Sequence, residues 1–169
     1  CIRDSVRPAL ALVVGSGGWR IEQKHTRDAI AGIALANNAA VQSWQEQPAI
    51  PAEGTTFPSC AATGPWLVTL DDIEDASQIQ VSCSINDEQT RHFSSVDLSR
   101  SLPEQISYLS HFMQLNPGDL IILELSEVDG DLPGGCRVAA GDQISLQSDE
   151  LGTLSNKVLA DSECRDDAD

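Results

Sequence analysis

Glu124 and Glu127 stand three residues apart in Glu124-Leu125-Ser126-Glu127. A close pair of carboxylates is what general acid–base chemistry needs, one to take a proton and one to give it. Asp71-Asp72 with Glu74-Asp75 gathers carboxylates into one short stretch that could ligate a hard cation. A solvated turn after an apolar run is the expectation for this stretch. His25, His92 and His111 have the chemistry of general bases. No acid or nucleophile stands near any of them at a useful spacing, so surface or structural roles are expected. Cys60 could be a reactive thiol in a loop, but a plain buried thiol is the expectation.

The five cysteines are Cys1, Cys60, Cys83, Cys136 and Cys164. They form no CxxC pair and no Cys/His ligand spacing, which argues against a zinc site. Their odd number and scatter suit reduced thiols and a cytoplasmic setting. A formal net charge of −16 repels phosphate backbones and anionic lipid, so nucleic acid and membrane surfaces are not expected partners. No apolar run approaches the ~20 residues that span a bilayer.

These side chains must be positioned by a chain of 169 residues, enough for one domain with a sizeable core. Only 4% of residues are aromatic, so that core rests on aliphatic side chains. Ala9 to Val14 is a buried strand candidate closed by the turn Gly15-Ser16-Gly17-Gly18. The spacing of Ile30, Ile33 and Ala34 predicts a helix over Thr26–Asn37, capped by Thr26. A Pro-, Gly-, Ser- and Thr-rich loop follows from Gln47 to Pro65. Strands are expected at Trp66–Leu70, Ile79–Ile85 and Leu120–Leu125, with hairpin or turn signals at Asn86-Asp87 and Asn116-Pro117-Gly118-Asp119. A helix is expected over Leu102–Met113, a loop over Gly130–Gly135, and a closing strand pair at Gly141–Leu146 and Leu151–Leu154. The domain is expected over residues 1–160, with 161–169 a disordered acidic tail. The chain opens at Cys1 rather than Met, which reads as trimming or a fragment, and nothing there resembles a signal peptide.

Three segments in order carry a family likeness. Gly64-Pro65-Trp66-Leu67-Val68-Thr69-Leu70-Asp71-Asp72-Ile73, Leu115-Asn116-Pro117-Gly118-Asp119-Leu120-Ile121, and Gly141-Asp142 followed by Leu151-Gly152-Thr153-Leu154-Ser155-Asn156 resemble segments of the fumarylacetoacetate hydrolase family. The match runs from about Pro8 to Val158. Ala9–Gly15, Ile30–Asn37 and Leu115–Asp119 are similar to the N-terminal half of the fused isomerase/decarboxylases of homoprotocatechuate breakdown. The resemblance implies an α+β, mostly β fold, a fumarylacetoacetate-hydrolase-like mixed β-sandwich or roll with a few short helices.

Members of this family hold Mg²⁺ or a similar cation on three carboxylates, because that ion demands oxygen ligands. The metal grips an oxo acid and stabilises the enolate that forms. The resemblance places the first two carboxylates at Arg7 and Ala9 and the third at Asn38. A guanidinium, a methyl and an amide offer no anionic ligand, so no metal and no other cofactor is expected. The family's lysine aligns with Thr55, and its Thr-Gly-Thr-Pro segment with Leu123-Glu124-Leu125-Ser126. Asn38, Gln42, Thr55 and Glu124 are therefore the substrate-cleft candidates, with no catalytic residue assigned. The expected function is a non-catalytic partner subunit, a homodimer or a heterodimer with a related chain. The alternative is a metal-independent isomerase, decarboxylase or C–C hydrolase acting on small oxo or dienoic acids.

Overall fold

Two five-stranded sheets dominate the computed structural model, which describes residues 4–41, 59–96, 98–127 and 136–160. Gln42, Thr55, most of the loop expected at 47–65, the loop expected at 130–135 and the acidic tail lie outside the described residues. The first sheet runs β3 (Ala61–Val68), β2 (Ile30–Val41), β1 (Asp4–Val14), β6 (Leu120–Glu124), with β8 (Cys136–Val138) also paired to β1. The second runs β10 (Gly152–Lys157), β9 (Gln143–Ser148), β4 (Gln80–Ile85), β5 (Glu88–Ser94), β7 (Ser126–Glu127). All these pairs are antiparallel. A 3-10 turn (Gln23–His25), α1 (Thr26–Ala29) and α2 (Leu102–Ser110) complete the described elements.

The core lies between the sheets. Leu10 and Leu12 from β1, Ile33 and Leu35 from β2, Val81 and Cys83 from β4 and Leu146 from β9 are all buried within it. Alternation along β1 and β2 sends the intervening residues to the other face of the first sheet, where Ala9, Ala11, Ala34 and Ala36 pack as a second buried cluster.

The predicted helix over Thr26–Asn37 is not formed. One helical turn, Thr26–Ala29, precedes a twelve-residue strand, Ile30–Val41. Ile30, Ile33 and Ala34 are spaced for a helical face, but Ala31, Gly32, Leu35 and Ala36 make the segment apolar all round. Such a run suits a central strand buried on both faces, and β2 lies between β1 and β3 with the inter-sheet core on one side and the alanine cluster on the other. Gly32 is required there, since a Cβ would lie 2.3 Å from the Val68 carbonyl oxygen of β3.

Other boundaries differ by a few residues. β3 begins at Ala61, so Gly64 and cis-Pro65 lie in a strand at the sheet edge, where a proline removes no ladder bond from a second neighbour. α2 stops at Ser110 and leaves Met113 exposed. Its start is a capping box in which Glu104 accepts from the Ser101 N–H at 2.9 Å. The Asn86-Asp87 turn is as expected: both residues have positive φ, 54° and 59°, the twist that joins antiparallel strands tightly.

The turn residues also anchor the sheets. The Gly118 N–H donates to the Val14 carbonyl at 2.8 Å and the Val14 N–H donates to the Asp119 carbonyl at 2.9 Å. The end of β1 is thereby pinned to the start of β6. Asp142 accepts from the Asn86 amide and the Ala139 N–H, both at 2.8 Å, and these bonds hold its carboxyl below the usual range.

Candidate functional site

Strand register brings the candidate residues together. Arg7 of β1 stands opposite Asn38 of β2, and Ala9 of β1 stands opposite both Ala36 of β2 and Glu124 of β6. Residues directly opposite on an antiparallel pair share a face. Arg7, Asn38 and Glu124 therefore lie at one end of the face whose middle is the alanine cluster.

Pro8 explains why β1 changes partner here. β6 pairs with Ala9–Val13 and β8 with Asp4–Val6, leaving Arg7 and Pro8 at the junction. A residue without an N–H sits there at no cost to the ladder. Its carbonyl still accepts from the Leu125 N–H at 2.9 Å.

Glu124 is held at both oxygens. Arg7 Nη1 donates to its Oε2 at 2.9 Å and Asn38 Nδ2 donates to its Oε1 at 2.8 Å. The Arg7 and Glu124 side chains are 33% and 37% exposed, so water screens this ion pair and its contribution is small, about 1 kcal/mol or less. Its geometry matters more than its strength: it fixes a cation, an amide and a carboxylate within one hydrogen-bonded cluster.

A second polar pair lies on the opposite face of β2. Asn37 is buried, donates to Asn156 Oδ1 on β10 and accepts from the Ala62 N–H of β3 at 3.2 Å. It ties β2 to a strand of each sheet, next to Asn38. The sequence carried a signal for it, since both asparagines fall inside segments quoted for the family likeness, yet their pairing was not foreseen.

The other candidates are placed elsewhere. His25 and His111 lie near the helices and His92 on β5, all exposed. None is on the strands that carry Arg7, Asn38 and Glu124. The acidic stretch is a turn: Asp75 accepts from the Ser77 N–H and hydroxyl and from Gln78, Asp72 accepts from Thr69, and Asp71 pairs with Arg27. Glu127 is in the short strand β7. Among the described residues, no three His, Cys, Asp or Glu side chains are grouped so as to hold a metal ion.

The sequence profile of the family described as fumarylacetoacetate (FAA) hydrolase C-terminal matches residues 8–159. The chain belongs to this family. Similar members include a mitochondrial oxaloacetate tautomerase of Xenopus laevis, 28% identical over 162 residues and matched over 89% of this chain and 48% of its own length. A 4-hydroxyphenylacetate degradation bifunctional isomerase/decarboxylase of Salmonella dublin is 27% identical over 153 residues, 90% of this chain and 34% of its own length. The chain thus spans half or less of the length of these relatives.

Solved structures agree on the fold. A 5-carboxymethyl-2-hydroxymuconate delta-isomerase of Mycobacterium smegmatis superposes with a TM-score of 0.82 at 22% identity, over 93% of this chain and 59% of that one. A maleylpyruvate hydrolase of Sphingobium, solved with manganese(II) ion and pyruvate, gives 0.79 at 22% identity, over 93% and 55%. The mostly β, two-sheet architecture is therefore that of the fumarylacetoacetate hydrolase family.

Proposed function

We propose that this chain is a family domain that does not use a divalent metal at the place where its relatives hold one, and that it acts as a non-catalytic partner subunit in a homodimer or with a related chain. The observation that carries this reading is the engagement of Glu124 by its own neighbours. It is the carboxylate in the Arg7–Asn38 cluster, and both of its oxygens accept hydrogen bonds from neighbouring side chains. The positions that resemble the family's metal ligands hold Arg7, Ala9 and Asn38. A hard cation needs anionic or neutral oxygens, and a guanidinium beside it adds repulsion. The residues present do not fit Mg²⁺.

Titration calorimetry with Mg²⁺ and Mn²⁺ tests the reading. The expected result is no site of micromolar affinity. One such site that disappears in Glu124→Gln or Asn38→Ala would overturn it. Light scattering after size exclusion, alone and mixed with a metal-competent relative, tests the pairing.

A second reading rests on the same cluster. Arg7 and Asn38 are hydrogen-bond donors at a half-exposed position, and donors of this type stabilise a carboxylate or an enolate oxygen. The chain would then be a metal-independent isomerase, decarboxylase or C–C hydrolase on small oxo or dienoic acids, in line with the activities named for its relatives. Keto–enol exchange and decarboxylation of 2-oxo diacids, assayed in EDTA, separate the two. Turnover that falls in Asn38→Ala and Glu124→Gln favours the second reading, and absence of turnover leaves the first.

A further inference from the structure

Cys83 and Cys136 come from different sheets and meet in the core. Cys83 lies on β4 of the second sheet, and Cys136 opens β8, which pairs with β1 of the first. Fifty-three residues separate them in sequence, yet their sulfurs are 3.5 Å apart and both residues are buried. Neither is in a disulfide. Arg91 stands directly opposite Cys83 on β5, and its Nη1 donates to the Cys136 sulfur at 3.9 Å.

We propose that Cys83 and Cys136 form an oxidisable dithiol that hydrogen peroxide converts to a disulfide across the two sheets. The two sulfurs are not equivalent. Arg91 touches Cys136 and stands opposite Cys83, so its guanidinium favours negative charge on either sulfur, and only at Cys83 is that opposed by the causes that follow. The Cys83 thiol is pushed up, first by its hydrogen bond to Cys136 and then by burial. Cys136 is thus the nucleophile and Cys83 the resolving thiol. Burial keeps bulky disulfide reagents out, so the oxidant must be as small as a peroxide.

The steps balance. The Cys136 thiolate attacks one oxygen of hydrogen peroxide, forms an S–O bond and releases hydroxide, which takes up a proton to become water. Cys83, losing its proton, then attacks the Cys136 sulfur and expels the sulfenic oxygen as a second water. Two thiols lose two electrons and two protons, and one peroxide becomes two waters. The sulfurs must close to about 2.05 Å. β8 has three residues and a single pairing neighbour among the described strands, so it is the element free to shift. It pairs with Val6, the residue before Arg7, and the bond would brace that end of the Arg7–Glu124 cluster.

Peroxide treatment of the intact chain, followed by alkylation in denaturant and peptide mapping, tests this. The expected product is one peptide pair joined through Cys83 and Cys136, 2 Da lighter than the reduced sum. Arg91→Gln is expected to slow its formation about tenfold, and Arg91→Lys to restore part of the rate. In Cys83→Ser a sulfenic acid is expected on Cys136, trapped by dimedone added together with denaturant, and in Cys136→Ser none on Cys83. Circular dichroism confirms that each variant is folded. Sulfinic acid on Cys136 with Cys83 still alkylatable, bridging through Cys60 instead, or no reaction at either thiol would overturn the proposal.

Discussion

Asn38 and Glu124 are hydrogen bonded at 2.8 Å although their strands are not neighbours. β1 lies between β2 and β6, and neighbouring strands are about 4.8 Å apart, so the Glu124 side chain spans the width of one strand. The residue opposite Glu124 on that strand is Ala9. A methyl group there leaves the path open.

Ala9→Leu is therefore expected to break the Asn38–Glu124 contact and overpack the alanine cluster. Ala9 is fully buried against Ala11, Ala34 and Ala36. The expected loss is about 1–3 kcal/mol, read by urea denaturation. A midpoint equal to that of the natural chain would mean that this face is not packed as described.

The Arg7–Glu124 pair is expected to couple weakly. A double-mutant cycle with Arg7→Gln and Glu124→Gln should give about 0.2–1 kcal/mol, smaller still in 1 M salt. A coupling of several kcal/mol would indicate a far drier site.

Asn37 predicts a larger effect. Asn37→Ala removes the partner of Asn156 and leaves the Ala62 N–H without its acceptor. The expected cost is about 1–3 kcal/mol in chemical denaturation, because a polar group deprived of its partner away from water is penalised. Asn156→Ala should be milder, since the Ala62 bond survives.

Stability toward acid follows from three carboxylates held below their usual range. The leading cause is the Ser77 hydroxyl for Asp75, the Ser101 N–H for Glu104 and the Asn86 amide for Asp142. Groups depressed in the folded state stabilise above the unfolded value, about 4, and that contribution is lost as pH falls through the lower folded values. The natural chain should thus lose stability more steeply below about pH 4 than Asp142→Asn. Denaturation midpoints at pH 7, 4 and 3 check this, and using the difference between the chains cancels the relief of overall negative repulsion.

An acidic set placed at the positions that resemble the family's ligands should create cation binding. Arg7→Glu, Ala9→Glu and Asn38→Asp together place three carboxylates on adjacent register positions of β1 and β2. Calorimetry should then register Mn²⁺ binding at least tenfold tighter than any shown by the natural chain. A folded triple variant that binds none would separate this position from the metal site of the family.

Local chemistry makes much of this molecule readable in its sequence. Asn86-Asp87 and Asn116–Asp119 announced their turns because few residues tolerate or initiate them. The alternation over Ile79–Ile85 announced a strand with one wet face, and Pro103 stood where the first turn of a helix tolerates it. The order of three motifs was sufficient to indicate the family and the mostly β fold.

Tertiary structure decided what periodicity could not. Ile30–Val41 is apolar on every side for much of its length, and only the presence of β1 and β3 on its flanks makes it a strand. Asn38 and Glu124 were candidates for one cleft on sequence grounds, but that they touch across β1, with Arg7 on the same carboxylate, is a consequence of register. The meeting of Cys83 with Cys136 has no sequence signature at all. Each of these contacts joins residues far apart along the chain, and such distances are set by how sheets pair and stack, not by the preferences of neighbouring residues.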